Sequence, residues 1–488
     1  MSSSLDAIKG LRPANLWTYF YQLSQIPRES GNEAGVRHWL VAFAQEHGLR
    51  HAVDSVGNVI IYKEASKGYE AVPPVALQGH MDMVCVKTQE STHDFLKDPI
   101  ELVRDGDFIR AKDTSLGGDN GIAVAMILDI FTDPSVKHGP LEAIFTVSEE
   151  TGLTGAFGLD ESLISSRRML NLDSEEEGII YIGCAGGIEV DATLKATLVQ
   201  APSRWESWSL RVDGLLGGHS GAEIHKQRAN AIKLAARTLH VIQQDSPIML
   251  ASLQGGTKRN VIPSLCDAVF FAPKEAHADI EAHVASLQKA FAKEYGVSDP
   301  HASVTVSCQG TAKGLAMEVE RTERFVDSLY IAPHGVDAMS MTIPGIVETS
   351  SNLAIVTLED GAYHVVSSHR SSVMSARDDV AARMGVALAT SGANLRFSGA
   401  YPSWTPDPSS KMASFCAKAY ERIEGKKPVV TAIHAGLECG IINSKIPGMD
   451  SVSLGPDLFG VHSVNERLSI PSTERTSSLV KQLLAIIR

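Results

Sequence analysis

Residues 143–152 read Ala-Ile-Phe-Thr-Val-Ser-Glu-Glu-Thr-Gly, an apolar run that closes with two consecutive acidic residues. A run of this composition is typical of a buried strand, and the Thr-Gly that follows marks its end. Three further segments with ligand-type side chains also follow apolar runs: Gln78-Gly79-His80-Met81-Asp82, Gly117-Gly118-Asp119-Asn120-Gly121 and Asn171-Leu172-Asp173. Carboxylates and imidazole without thiolate suit divalent ions such as zinc, manganese or cobalt, so the sequence predicts a metal site.

Strand and helix patterns alternate around these segments. Helical spacing predicts helices over 32–47 and 121–131, and strand-like runs cover 58–62, 75–78, 143–147, 169–172 and 178–182. This alternation predicts an α/β fold with a mainly parallel-sheet domain and helices on both faces. In such sheets ligands bind at the carboxyl ends of strands, where the acidic and histidine segments fall.

The pattern changes after residue 186. Long alternating stretches such as 188–198 and 208–212, with helical patterns over 229–243 and 280–294, predict an inserted α+β domain over 187–397 with an antiparallel sheet. Residues 1–186 and 398–488, which include a helix over 472–487, are predicted to form one metal-binding catalytic domain. The length of 488 residues favours two or three domains.

Charge and composition exclude several functional classes. The net charge of -13 and the lack of clustered Lys and Arg argue against nucleic-acid binding. The sequence shows neither a secretory signal pattern nor a membrane-length apolar run, so we expect a cytoplasmic protein without membrane partners. Six cysteines without C-x-x-C spacing indicate neither a disulfide framework nor a thiolate zinc site.

Each segment has an ordinary structural explanation when it is taken alone. A His-x-Asp pair is also found as a buried histidine with a satisfied hydrogen bond, Gly-Asp-Asn-Gly as a tight turn or helix cap, and Glu-Glu as a solvated pair. On an extended chain, however, His80 and Asp82 project to one face, whereas Glu149 and Glu150 project to opposite faces. Asp82 can therefore orient the His80 ring while Glu149 and Glu150 take different tasks.

The four segments and His434-Ala435-Gly436-Leu437-Glu438-Cys439-Gly440 together resemble the zinc aminopeptidase-like family that contains carnosinase, peptidase V, peptidase T and aminoacylase. The resemblance covers nearly the whole chain, and within the family it is strongest to the bacterial branch that cleaves Xaa-His dipeptides. It implies that His80 and Asp173 hold one metal ion, that Glu150 and His462 hold a second, and that Asp119 bridges the two. Zinc is the expected ion, with manganese or cobalt as alternatives.

The resemblance also implies roles for the other residues. Glu149 would act as general base and then general acid, and Asp82 would orient His80. His219, in the segment Gly217-Gly218-His219-Ser220-Gly221, would donate to the oxyanion, commonly from the partner subunit of a homodimer. The expected substrate contacts are Asn260 and Arg370 for the oxyanion and carboxylate, and Glu438 for the free amino group.

These implications favour a cytosolic metal-dependent dipeptidase that cleaves short unblocked peptides, including Xaa-His dipeptides. The resemblance also implies that two copies of the chain form a homodimer. Two alternatives stay open at the level of sequence. The same metal chemistry would serve an N-acyl amino acid amidohydrolase, and the fold could also act as a metal-binding scaffold without catalysis. The presence of both Glu149 and Asp82 argues against the scaffold, because a purely structural metal site needs neither.

Overall fold

Strands and helices of the protein follow the alternation that its apolar pattern predicts. The structure is a computed structural model and describes residues 4–488. The helices are α1 (Ser4–Ile8), α2 (Ala14–Ser24), α3 (Ala34–Glu46), α4 (Gly118–Thr132), α5 (Thr154–Gly158), α6 (Ala231–Asp245), α7 (His277–Tyr295), α8 (Val319–Ile331), α9 (Met374–Ala389), α10 (Lys411–Glu424), α11 (Glu438–Lys445) and α12 (Ile470–Ile486). Short 3-10 turns occupy Glu161–Leu163, Ile224–Lys226 and Lys274–Ala276.

The strands are distributed along the same described range. They are β1 (Arg50–Val53), β2 (Val59–Lys63), β3 (Val75–His80), β4 (Leu102–Asp105), β5 (Phe108–Ala111), β6 (Leu141–Thr146), β7 (Arg168–Asn171), β8 (Ile179–Cys184), β9 (Gly186–Lys195), β10 (Leu198–Gln200), β11 (Trp205–Asp213), β12 (Gly218–His219), β13 (Met249–Gly255), β14 (Val261–Ile262), β15 (Cys266–Pro273), β16 (Ser303–Thr311), β17 (Leu315–Met317), β18 (Gly335–Met339), β19 (Val347–Glu359), β20 (Ala362–Ser371), β21 (Asn394–Tyr401), β22 (Val429–Ile433), β23 (Asp450–Ser453), β24 (Leu458–Phe459) and β25 (Arg467–Ser469).

The chain divides into two compact units. The first runs up to Gly183 and resumes over Pro406–Ala432 and Leu437–Arg488, while the second comprises Cys184–Thr405 and Ile433–Gly436. The second unit extends past residue 397, where the sequence pattern places the boundary, because β21 continues to Tyr401 in its pairing with β9. Residues 433–436 belong to it because the amide of Ala185 donates to the carbonyls of Ile433 and Ala435.

A sheet with the strand order β1-β2-β6-β3-β7-β23-β8-β22 forms the centre of the first unit. The pairs β6-β3, β3-β7 and β7-β23 are parallel, whereas β1-β2, β2-β6 and β23-β8 are antiparallel. The expected parallel sheet therefore describes the centre, and the margins are antiparallel. Every residue of β3 and β6 is buried, as expected for parallel strands covered on both faces. α4 packs against β3 and α10 against β23.

The second unit is built on an antiparallel sheet with the order β16-β11-β15-β13-β19-β20-β9-β21, and β18 pairs with β19 beside this path. Buried and half-buried residues alternate along β20, which is the period expected of a strand with one face in the core. Helices α6, α7, α8 and α9 pack against the sheet. The core beneath them includes Trp208, Phe270, Phe291, Phe325 and Tyr363. In the range 4–488, no helix is both long and apolar enough to cross a membrane.

Candidate metal centre

Neighbouring parallel strands of the first unit bring the acidic and histidine segments to one edge of the sheet. His80 is the last residue of β3, Asp173 follows the end of β7, and Glu149 and Glu150 follow the end of β6. Since β3 pairs in parallel with both β6 and β7, the three chain ends lie side by side. Asp119 lies at the start of α4 in a non-helical backbone conformation, with φ -80° and ψ 111°.

Asp119 lies between the two histidines. Its Oδ1 is 3.1 Å from His80 Nε2, and its Oδ2 is 3.1 Å from His462 Nε2. Asp173 Oδ1 lies 3.4 Å from the same His80 nitrogen, and Glu150 Oε1 lies 3.0 Å from the same His462 nitrogen. The five side chains thus converge as two groups of three that share Asp119.

Both groups have the composition of a divalent-cation site. Ligand atoms of His80, Asp119 and Asp173 lie within 4.8 Å of one another, and those of Asp119, Glu150 and His462 do so as well. Each group offers one imidazole and two carboxylates, a donor set suited to zinc, manganese or cobalt. The shared carboxylate could place one oxygen on each of two ions. The residues present therefore fit a pair of divalent cations.

Asp82 contacts the His80 ring on the side away from Asp119 and Asp173. Its Oδ1 lies 3.2 Å from His80 Nδ1, which leaves Nε2 directed at Asp119 and Asp173. Its oxygens also accept hydrogen bonds from the amides of Glu149 (3.1 Å) and Glu150 (3.2 Å) and from the Ser30 hydroxyl (2.7 Å). Burial opposes ionisation of Asp82, but the contacts with His80 and Ser30 outweigh it and lower the pKa to about 2.

Negative charge accumulates around the two groups. Burial raises the pKa of Glu149 well above its ordinary value, and the carboxylates of Asp173, Glu438 and Glu150 act in the same direction. Burial, with repulsion from Asp119 and Glu150, also raises the pKa of Asp173 to about 6. Hydrogen bonds to Asp119 and Glu150 raise the pKa of His462 to about 11. A site with this many clustered acids is one that cations would stabilise.

His219, Asn260 and Arg370 belong to the second unit. His219 is half-buried, and its Nδ1 accepts hydrogen bonds from the amides of Gly221 (3.2 Å) and Ala222 (2.9 Å). Burial, helped by the charge of Arg370, lowers the His219 pKa, so the ring is neutral near pH 7. Arg370 Nη1 donates to the Tyr401 hydroxyl at 3.0 Å. The carbonyl of Asn260 accepts from Ser220, next to His219, at 2.9 Å, and the Asn260 residue itself is exposed.

Glu438, the predicted contact for the substrate amino group, lies in the first unit. It is fully buried, and its Oε2 accepts hydrogen bonds from Gln78 (2.5 Å) on β3 and Thr146 (2.7 Å) on β6. Burial raises its pKa to about 7. Within residues 4–488 its Oε1 has no hydrogen-bond partner, so the contact with the substrate amino group stays a prediction.

Two residues that no motif indicates hold the ligand loops in place. Arg28, which is buried, donates to the carbonyls of Met81 (3.1 Å), Asp82 (2.7 Å) and Gly117. Glu466, also buried, accepts four backbone hydrogen bonds at 2.8–3.2 Å, from residues 116, 117, 118 and 119. Nothing in the local sequence marks Arg28, whereas the position of Glu466 four residues after His462 could have drawn attention to it.

Comparison with known proteins identifies the family of the chain. The model of peptidase family M20/M25/M40 matches residues 76–485. The chain is 36% identical over 480 residues to the cytosol non-specific dipeptidase of Escherichia coli (strain K12), covering 98% of this chain and 99% of the relative. The crystal structure of aminoacylhistidine dipeptidase from Vibrio alginolyticus superposes with a TM-score of 0.92 at 36% identity, covering 99% of this chain and 98% of that one.

More distant structures share the fold. Aminopeptidase PepT from Bacillus cereus ATCC 10987 matches with a TM-score of 0.58 at 17% identity, covering 98% of this chain and 99% of the PepT chain. The family match confirms the resemblance that the four motifs indicate. We conclude that this chain belongs to peptidase family M20/M25/M40.

Proposed function

We propose that this chain is a cytosolic metallodipeptidase that hydrolyses short unblocked peptides, Xaa-His dipeptides among them. The observation that carries the proposal is the contact of Asp119 with both His80 and His462 through different carboxylate oxygens. The names of the two relatives at 36% identity support the choice of dipeptides, and the name of the first supports a cytosolic location.

In this proposal His80 and Asp173 would hold one ion, Glu150 and His462 would hold the other, and Asp119 would contribute to both. When bound, the two ions supply the charge that makes a water acidic and polarises the scissile carbonyl. Zinc is our first assignment, with manganese and cobalt as alternatives. Asp82 keeps the His80 ring in the orientation that directs Nε2 at the site.

Glu149 is the proposed proton carrier. A carboxylate oxygen of Glu149 lies within 4.8 Å of ligand atoms of His80 and Glu150, but Glu149 is absent from the two groups that share Asp119. Its raised pKa suits a group that takes a proton from the attacking water and later gives it to the departing amine. A carboxylate of normal pKa would be a weaker base for the first of these two transfers.

His219 is the proposed donor to the negatively charged oxygen of the tetrahedral intermediate. Because its Nδ1 accepts two backbone hydrogen bonds, the neutral ring carries its proton on Nε2. An N–H of this kind is suited to an oxyanion. Asn260 and Arg370 are proposed to contact the same oxyanion and the substrate carboxylate, and we propose that the chain acts as a homodimer.

The proton-transfer role is tested by Glu149→Gln. We expect this variant to keep its bound metal and to lose about 10²–10⁴-fold in kcat, because an amide cannot carry the proton. Metal content is measured by mass spectrometry and turnover on an Xaa-His dipeptide. Glu161→Gln, an exposed acid in the same unit, should retain normal turnover. Normal activity of Glu149→Gln would exclude the role.

Substrate class is tested by comparing a free dipeptide with its N-acetylated form. We expect faster hydrolysis of the free form. Preference for the blocked form would make the chain an N-acyl amino acid amidohydrolase. Metal-loaded protein without turnover of either form would indicate a non-catalytic scaffold.

A further inference from the structure

A second cluster of ligand-type side chains lies in the second unit, outside the candidate metal centre. It comprises Glu206 on β11, His277 at the start of α7 and Cys308 on β16. One ligand atom from each lies within 4.8 Å of the others. None of the three takes part in the function proposed above.

The fold brings these residues together at the edge of the antiparallel sheet. Trp208 on β11 pairs with Cys308, but Glu206 pairs with Thr311, so β16 carries one extra residue between the two positions. This β-bulge includes Gly310, whose φ of 88° favours glycine. β15 ends at Pro273, opposite Trp205, and the 3-10 turn Lys274–Ala276 then places His277 beside the start of β11, where Glu206 lies.

The His277 ring is held on three sides. Its Nδ1 lies 2.8 Å from Glu206 Oε2, and its Nε2 lies 3.6 Å from Glu281 Oε1 one helical turn further along α7. The buried Trp208 ring contacts it edge-on, with the ring centroids 4.7 Å apart. A histidine with one nitrogen toward a ligand cluster and the other toward a carboxylate is the arrangement that metal-binding histidines usually show. His80 has the same arrangement between Asp119 and Asp82.

The donor set indicates which ion would bind. A thiolate disfavours magnesium and calcium, whereas one sulfur, one imidazole and one carboxylate together suit zinc. Cys308 is exposed, and within residues 4–488 it is the one exposed free cysteine, so water would reach an ion held there. The alternative is a simple ion pair between Glu206 and His277. Such a pair would not require the thiol of Cys308 beside it.

We propose that Glu206, His277 and Cys308 form a separate, mononuclear zinc site with water as the fourth ligand. Binding would release the thiol proton of Cys308 and connect β11, β16 and the first turn of α7. The three ligands have this geometry only in the folded second unit. Because the ion would bind the folded unit and not the unfolded chain, it would stabilise that unit. The site does not depend on the proposed dipeptidase activity.

Cobalt substitution tests the site directly. The candidate metal centre of the first unit offers only nitrogen and oxygen ligands. A thiolate-to-cobalt charge-transfer band in the near ultraviolet would therefore arise from a cysteine ligand and not from that centre. Metal-free protein, kept reduced, is titrated with Co²⁺. We expect the band in the unsubstituted chain, its loss in Cys308→Ser, and its persistence in Cys85→Ser. His277→Gln should weaken the affinity that the band reports by at least about tenfold.

Turnover separates this site from the catalytic one. Cys308→Ser should hydrolyse dipeptides at the normal rate, and the circular dichroism spectrum should be unchanged because an exposed Cys tolerates Ser. Cobalt binding without a thiolate band would overturn the proposal. So would a band that survives in Cys308→Ser or disappears in Cys85→Ser, because the sulfur ligand would then lie elsewhere.

Discussion

Glu466 shows how a single buried carboxylate can position a proposed metal ligand through its backbone amide and not through its side chain. Its Oε1 and Oε2 accept hydrogen bonds from four consecutive amides, the last of which belongs to Asp119. Burial raises its pKa, and the bonds from Gly117 and Asp119 oppose that shift. The chain just before Glu466 carries His462, so one side chain connects the bridging acid to the late histidine.

Glu466→Gln should therefore weaken metal binding. The side-chain NH₂ group of the glutamine would face backbone N–H groups that now donate to Glu466. These buried donors would lose their acceptor, at a cost of about 1–3 kcal/mol. We expect metal affinity to fall about 10–100-fold, measured by competition with a chromophoric chelator. Glu474→Gln, an exposed acid in α12, is the matched control and should bind normally. Unchanged affinity in Glu466→Gln would show that the Asp119 loop holds its shape without this anchor.

At the scale of elements, the close approach of β3 and α4 sets the position of His80 and Asp119, the two proposed metal ligands that they carry. Gly79 lies just before His80, and a Cβ built there would lie 2.5 Å from Asn120 Oδ1 and 2.9 Å from Ala123 Cβ. Asn120 also accepts a hydrogen bond from the amide of His80 at 3.3 Å and donates to the carbonyl of Leu172 at 3.0 Å. The strand, the helix and the chain before Asp173 are joined at this point.

Gly79→Ala should push β3 and α4 apart. Overpacking of this kind costs about 1–3 kcal/mol, and we expect the urea midpoint and kcat to fall together. Gly385→Ala in α9 is a useful contrast, because its nearest neighbour is the tip of Phe397 at 3.0 Å and alanine favours helix. Equal stability of the two variants would contradict the role assigned to the contact at Gly79.

For the whole molecule, the charge gathered at the sheet edge predicts dependence on cations. Removal of metal by a chelator should abolish turnover and lower the temperature at which the first unit unfolds, because the acids then repel one another. An ion at about 100 times its Kd contributes about 2.7 kcal/mol. Calorimetry with and without chelator measures the shift, and re-addition of Zn²⁺, Mn²⁺ or Co²⁺ should reverse it. Full activity in metal-free protein would contradict the proposed function.

The homodimer is a second prediction at this scale. The sheet of the second unit ends at β16 on one side and β21 on the other, and unpaired strand edges readily accept another strand. Phe397 on β21 is also exposed. Light scattering across a concentration series should give the mass of two chains, and a single-chain mass at assay concentration would contradict the prediction.

The sequence by itself determined the alternation of strands and helices and singled out four of the five residues that we propose as metal ligands. Apolar period and strand-end chemistry are local properties, so His80, Asp119, Glu150 and Asp173 could be recognised without coordinates. The role of His462 needed the family resemblance, because its own segment carries no distinctive pattern. Boundaries were less accessible, since the continuation of β21 to Tyr401 depends on its pairing with β9.

Only the tertiary structure decided how these residues are supported. Arg28 and Glu466 act through backbone groups that are distant in sequence, and no local pattern encodes such a partner. The hydrogen bonds that buried Glu438 accepts from Gln78 on β3 and Thr146 on β6 likewise depend on tertiary contacts, not on its own motif. The types of ligand side chain are set by the residues along the chain. Their orientation is set by contacts between residues that are distant in sequence, and such contacts could not be predicted from the local sequence.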